Sequence, residues 1–282
     1  MRCIVWKCDN KMTTTQKIIK YVAIALAISI IASICAFFVH TFSILSNIFD
    51  TEDILLTENK MFVVENDISN IDIDLSVSNL IIEESSTGFR VETNNKNVSV
   101  KETNDTLNIK DNTKKNINVK SKSEVILYIP KGSEFKSFKL SSAVGRIKVD
   151  KVNADNIVFE LGVGQTDIDN IIASKSVNID SGVGEVSISS GTINDLDLNS
   201  GVGEVNITAS ILGNSSVESG IGSLNINLAG EKEEYKFDIE KGVGNVIIDG
   251  ETVHSDEVYG NGENTISIDS GIGEVKVRFS ND

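Results

Sequence analysis

Proline occurs once in 282 residues, aromatics make up 6%, histidine appears twice, and the three cysteines (Cys3, Cys8, Cys35) all lie before residue 36. With no cysteine after Cys35, the long remainder of the chain can hold neither a disulfide framework nor a cysteine-ligated metal. Two histidines, one of them (His40) at the end of an apolar run, make a multi-histidine metal site or a supported Ser-His-Asp triad unconvincing. Basic charge is scarce as well: the net charge is −15. Residues 1–49 carry five Lys/Arg and one Asp, a net +4, which leaves −19 on residues 50–282 and argues against a nucleic-acid partner.

What is present points elsewhere. Hydrophobic residues at 40% and charged residues at 24% are near the globular average, which excludes disorder, while 21 glycines against one proline indicate a regularly turning β chain. Tyr21–Val39 is an uncharged run. A helix of that length is enough to span the hydrocarbon layer, which is ~30 Å thick. Arg2, Lys7, Lys11, Lys17 and Lys20 precede this run, and Asp50, Glu52, Asp53 and Glu58 follow it. That asymmetry predicts a single-pass anchor with a cytoplasmic N-terminus and an extracytoplasmic C-terminal domain. Apolar sequence continues through Ile48, which favours an uncleaved anchor over a signal peptide. Ile34 beside Cys35 disfavours a lipid-attachment site. Met12 opens a second plausible start.

Beyond Asp50 the dominant signal is a repeat. Gly-Val/Ile-Gly recurs at Gly162–Gly164, Gly182–Gly184, Gly201–Gly203, Gly220–Gly222, Gly242–Gly244 and Gly271–Gly273, with a degenerate Ala143–Gly145. The interval between second glycines is nearly constant from Gly145 to Gly222 and lengthens only in the steps to Gly244 and Gly273. Apolar residues alternate with period two on both sides of each corner, for example Leu196/Leu198 before and Val205/Ile207 after Gly201–Gly203. Each flank therefore reads as a strand with one buried face, joined by a corner where a Cβ would clash or φ must be positive. Units this short bury an apolar face only by stacking. The expectation is an all-β fold, a parallel β-solenoid (β-helix) of about eight ~19–20-residue coils, about 40 Å long, preceded by one transmembrane α-helix.

The expected organisation is a cytoplasmic tail (1–20), a transmembrane helix and juxtamembrane segment (21–49), a linker, first coil and β-meander cap (50–135), and regular repeats (136–282). NIDIDLSVSNLIIEES reads as an early coil in which Ser76 and Ser78 replace the glycines, and 89–129 reads as the meander. The two longest steps read as loops, Glu231–Lys236 and Asp249–Asn264. The second, with His254 and Tyr259, is the best candidate contact surface and should be cheap to shorten.

EVILYIPKGSEFKSFKLSSAVGRIKV, followed by DSGVGEV-type coils, resembles the bacterial putative-adhesin family over roughly residues 60–280. The resemblance implies a β-strand-repeat domain of unknown function at the cell envelope, often tethered by one N-terminal helix, with no catalytic residues to carry over.

Chemistry on the repeats is sparse. GVGEV lacks the third glycine and the following helix of a dinucleotide loop. Asp180, Glu218, Glu240 and Asp269 recur two positions before the corner, with Glu160 and Asn199 in the same register, and Glu185, Glu204 and Glu274 follow it. A repeated column reads as a solvated face that keeps the stack soluble, or as a weak site for divalent cations such as calcium. No catalytic, cofactor-binding or metal residue is assigned. The first expectation for function is a non-catalytic surface interaction or adhesion module that contacts an envelope protein or surface polymer. An envelope regulatory or stress-sensing scaffold is the alternative, and a glycan-cleaving enzyme ranks third.

Overall fold

A computed structural model describes residues 59–112, 123–254 and 257–280. The expected cytoplasmic tail and membrane span at 21–39 lie outside the described residues. Among the described residues no helix is long and apolar enough to cross a membrane.

The described chain is all-β, with a single 3-10 turn at Lys232–Glu234. Towards the N-terminus lie β1 (Lys60–Val63), β2 (Asn70–Val77), β3 (Asn79–Ser85), β4 (Arg90–Thr93), β5 (Val98–Thr103), β6 (Thr106–Asp111) and β7 (Glu124–Pro130). The repeats follow as β8 (Phe135–Ile188), β9 (Gly191–Asn194), β10 (Leu196–Leu212), β11 (Asn214–Ala229) and β12 (Tyr235–Ile248). The chain closes with β13 (Glu251–Val253), β14 (Glu257–Gly260) and β15 (Asn264–Ser280). All fifteen strands belong to one sheet.

Long strands such as β10 run through the glycine corner, and their pairing skips only the first corner glycine, Gly201 opposite Gly220, before resuming at Val202. The corner does more than bend the chain. Leu196, Leu198 and Ser200 are buried before it and Val205, Ile207, Ala209 and Ile211 after it, so the buried positions change from even to odd numbers. A strand alternates faces with period two, and only an irregular step lets both arms face the same core. Gly203 supplies that step at φ +149. A Cβ there would lie well inside 3.0 Å of the Gly184 carbonyl oxygen in the next coil. Neighbouring coils pair parallel and in register, Gly203 against Gly184 on one side and Gly222 on the other. Identical positions therefore stack into ladders, such as Ile179–Leu198–Val217–Ile268–Ile239 in the core.

The order of the coils departs from chain order at both ends. After β11 the chain passes over one layer, lays down β12, and returns as β15 between them: β15 pairs parallel with β11 (Gly222 against Gly273) and with β12 (Gly244 against Gly273). At the other end β2 and β3 stack on the first coil of β8, while β6 and β7 stack on the far side of β2 and β3. β6 and β7 thus contribute the two arms of a parallel coil instead of belonging wholly to a meander. With β8 contributing three coils, the described residues stack in nine layers where about eight were expected. Val77 pairs with Val144, which places Ser78 beside Gly145 as the serine-for-glycine reading requires. Ser78 Oγ donates to Asp111 Oδ2 (3.1 Å) and lies 2.7 Å from Ser123 Oγ, so a hydrogen-bonded cluster takes over the corner in this layer.

Antiparallel strands cover both outer coils. β5 pairs with β6 and β4 with β7 at one end, and β14 and β13 pair with the two arms of β12 at the other. An open end of a solenoid is an unpaired sheet edge and a template for aggregation, which short antiparallel strands blunt. The few aromatics gather towards these ends. Phe89, Phe135, Phe138 and Phe159 form one chain of ring contacts, and Tyr235, Phe237, Tyr259 and Phe279 another. The core between them is aliphatic.

The expectation that Asp249–Asn264 is a dispensable loop is corrected by this topology. The segment contains β13 and β14 and carries the chain back to the vacant layer, where Gly262 N donates to Tyr235 O (3.1 Å). Replacing residues 250–263 with a regular-length corner should uncover β12 and prevent β15 from entering between β11 and β12. The expected result is a melting temperature lowered by about 5–10 °C, with lost amide protection over 235–248. An unchanged melt would refute the out-of-order stack. Gly203→Ala should cost about 3 kcal/mol in urea unfolding, because the new methyl meets backbone that cannot retreat. Gly88 has φ +92 but nothing within 4 Å of where its Cβ would be. Gly88→Ala should therefore cost only about 1 kcal/mol.

Candidate functional site

Three parallel columns meet at the glycine corner. On the first arm, two residues before each corner, pairing sets Asp180 beside Asn199, Asn199 beside Glu218, Glu218 beside Asp269 and Asp269 beside Glu240. Glu160 precedes Asp180 in the same register, and Asp74 pairs with Ser141 in the layers before it. The expected acidic column therefore exists, with Asp269 between Glu218 and Glu240 as the coil order demands. The column after the corner is sparser: Glu185 lies beside Glu204, but Ser223 separates Glu204 from Glu274, and Asn245 follows.

Between these columns the repeated glycines leave bare backbone. Gly162, Gly182 and Gly201, flanked by Asp74, Glu160, Asp180 and Asn199, line an open groove of about 550 Å³. The same groove reaches Ser142, which is 5% exposed. Beside it runs a third column absent from the sequence-level expectations, made of the middle residues of the Gly-Val/Ile-Gly corners. Val183, Val202, Ile221, Ile272 and Val243 are neighbours in successive layers. Val163, Ile221, Ile272 and Val243 are 36%, 40%, 51% and 72% exposed, so the ridge becomes barer towards the C-terminal end. The available signal was that this position never carries a polar residue, although nothing in the core needs it.

The groove's electrostatics are uneven. Glu160 accepts from Lys139 Nζ (2.8 Å) and Ser141 Oγ (2.6 Å), and these hydrogen bonds, Lys139 first, hold its carboxyl below the ordinary glutamate value against a small opposing effect of burial. Lys139 is raised correspondingly, chiefly by its hydrogen bond to Glu160. By contrast Asp180, Glu218, Asp269 and Glu240 have no basic side chain among the described residues within ion-pair distance. Among the described residues no three of His, Cys, Asp and Glu converge to hold a metal, because a ladder spreads its carboxylates along a line.

The expected contact surface around Tyr259 is a latch. Its ring packs 6.5 Å from that of Phe237, its hydroxyl donates to Glu251 Oε2 (3.2 Å), and Lys232 Nζ lies 5.0 Å above it. Lys232 also pairs with Asp249 (3.2 Å), and Tyr259, followed by Asp249, pushes the Lys232 pKa up to about 12. These contacts fasten β13 and β14 over β12. His254 is exposed on the same segment.

A family model described as Toastrack DUF4097 matches residues 68–261, and the chain belongs to that family. Among solved structures, a putative cell adhesion protein from Clostridium sporogenes is 15% identical, covering 79% of this chain and 99% of its own, with a TM-score of 0.34. A putative adhesin from Bacteroides fragilis is 14% identical over 80% of this chain and 100% of its own, with a TM-score of 0.39. One from Parabacteroides merdae is 18% identical over 79% of this chain and 95% of its own, at 0.28. No curated protein matches the sequence.

In Lys139→Ala the Glu160 carboxyl should titrate at higher pH, as followed by NMR. A folded-state pKa below the unfolded one stabilises at neutral pH, and that stabilisation is lost as pH falls through the folded value. Glu160 is almost half exposed. The variant should therefore lose well under about 1 kcal/mol at neutral pH and still less under acid. An unmoved Glu160 titration would remove the pair from the description of the groove.

Proposed function

We propose that this protein is a membrane-anchored, extracytoplasmic β-solenoid that acts as a non-catalytic surface interaction module, engaging another envelope protein or a surface polymer along the acidic side of its corner. The observation that carries this reading is the ladder itself. An enzyme concentrates unlike groups at one point, where a nucleophile, a base and a stabilising donor share a reacting atom. Here carboxylates recur in most layers of one column, with Ser141 and Asn199 between them, and a groove runs beside the column from Asp74 to Asn199, which suits recognition of something long. The anchor and its orientation rest on the uncharged run at 21–39 and the basic residues that precede it.

Protease added to intact protoplasts should remove the repeats while a cytoplasmic control survives. Crosslinking in the native membrane should then trap a discrete partner. Protection of the repeats equal to that of the cytoplasmic control would overturn the topology, and no crosslinked species would overturn the interaction role.

A further inference from the structure

We propose that the groove and ridge at the glycine corner form a docking surface for a basic segment of a partner protein, whose Lys and Arg side chains enter the groove while its aliphatic side chains rest on the Val/Ile ridge. This rests on the interaction-module reading and adds the chemistry of the partner.

Three features of the corner select that occupant. The ridge runs as one aliphatic side chain per layer from Val144 to Val243. Its six interlayer steps span roughly 29 Å. Val144, Val183 and Val202 are half-buried, but Ile221, Ile272 and Val243 are exposed in three successive layers, and adjoining exposed apolar side chains on a chain this acidic mark a contact site. The charge beside it is of one sign and largely unpaired. Glu218, Asp269 and Glu240 occupy three successive layers with no intervening neutral residue. Each adjacent pair at ~4.8 Å costs roughly 1 kcal/mol even in water, a repulsion that a cationic ligand relieves. The third feature is the floor of the groove, where Gly162 and Gly182 carry no side chain and leave room for an ammonium or guanidinium to approach the backbone.

The same features disfavour other occupants. No aromatic ring lines the groove, so a sugar chain has nothing to stack on. An anionic membrane or nucleic acid would meet carboxylates of its own sign. Basic residues flanking aliphatic ones match both columns, and charge complementarity of this kind governs orientation and encounter rate.

The test uses the full-length protein in nanodiscs and a labelled synthetic peptide of alternating lysine and valine, with lysine–serine and glutamate–valine peptides as comparators. The lysine–valine peptide should bind, and the lysine–serine peptide should bind about tenfold more weakly. The glutamate–valine peptide should not bind. Binding should fall about tenfold in Asp74→Asn/Asp180→Asn, and by a similar factor in Val163→Thr/Ile221→Thr/Ile272→Thr/Val243→Thr, where threonine keeps the branched shape and strand preference of the ridge. An unchanged melting temperature in both variants assigns the loss to the surface. Lack of binding by the lysine–valine peptide would overturn the inference, as would equal binding of the lysine–serine peptide together with an unaffected ridge variant. Crosslinking in the native membrane separates the two levels. A partner still trapped by Asp74→Asn/Asp180→Asn removes the groove and leaves the interaction module standing, whereas no partner on the unaltered protein removes the module reading whatever the peptide does.

Discussion

Everything in this protein depends on how closely one backbone can approach another at the corner. In each regular coil the second corner glycine sits where a carbonyl oxygen of the adjacent layer occupies the space of a Cβ. That contact allows the strand to turn with only the first corner glycine dropping out of the ladder, and it lets two arms of opposite side-chain parity share one core. Hydrophobic burial supplies the driving force, but a β chain of the same apolar content without those glycines would present one arm's side chains to water.

A stack of interchangeable layers has a weakness at its ends, where the last layer exposes a full row of unpaired backbone groups. The two ends solve this in opposite orders. At the C-terminal end the outer coil β12 is set down, β13 and β14 are drawn across it and β15 returns inside. At the N-terminal end β4 and β5 precede the outer coil β6/β7 that they cover, and the chain then returns inside as β8. At the C-terminal end the return places Asn264 Oδ1 against Gly213 N at 3.0 Å and Thr265 N against Gly213 O at 2.9 Å, so β15 is fixed to β11 from its first residue. The outermost layer is consequently never the last to be laid down, and Ser280 ends a ladder that is held on both sides over most of its length.

The surface follows from the same periodicity. Any residue type placed at a fixed distance from the corner becomes a column with a repeat of about 4.8 Å. Carboxylates two positions before the corner become an acidic rail, the residue between the glycines becomes an aliphatic ridge, and the glycines become the bare groove between them. Within this pattern the Lys139–Glu160–Ser141 contacts mark a place where the rail is neutralised from within the chain, and the latch of Tyr259, Lys232, Asp249 and Glu251 shows that a segment outside the repeat serves the fold at the cap.

Sequence by itself determined the strands, the corners, the all-β class and the acidic column, because period-two alternation and a recurring Gly-Val-Gly are local properties with one physical solution. It also disclosed the substitution of Ser76 and Ser78 for corner glycines, since their flanks keep the pattern. Only the tertiary structure decided which coil lies beside which. Ile266, Ile268, Val275 and Val277 are as suited to the layer next to β11 as Phe237, Ile239, Val246 and Ile248, so the pattern carries no information on order. What settled it was the reach of the connections and the aromatic contacts of Tyr235, Phe237, Tyr259 and Phe279, which are complete only when β12 lies outermost under β14. The exposed ridge was hidden for a related reason: a valine between two glycines reads as part of the corner until the stack shows that it faces water.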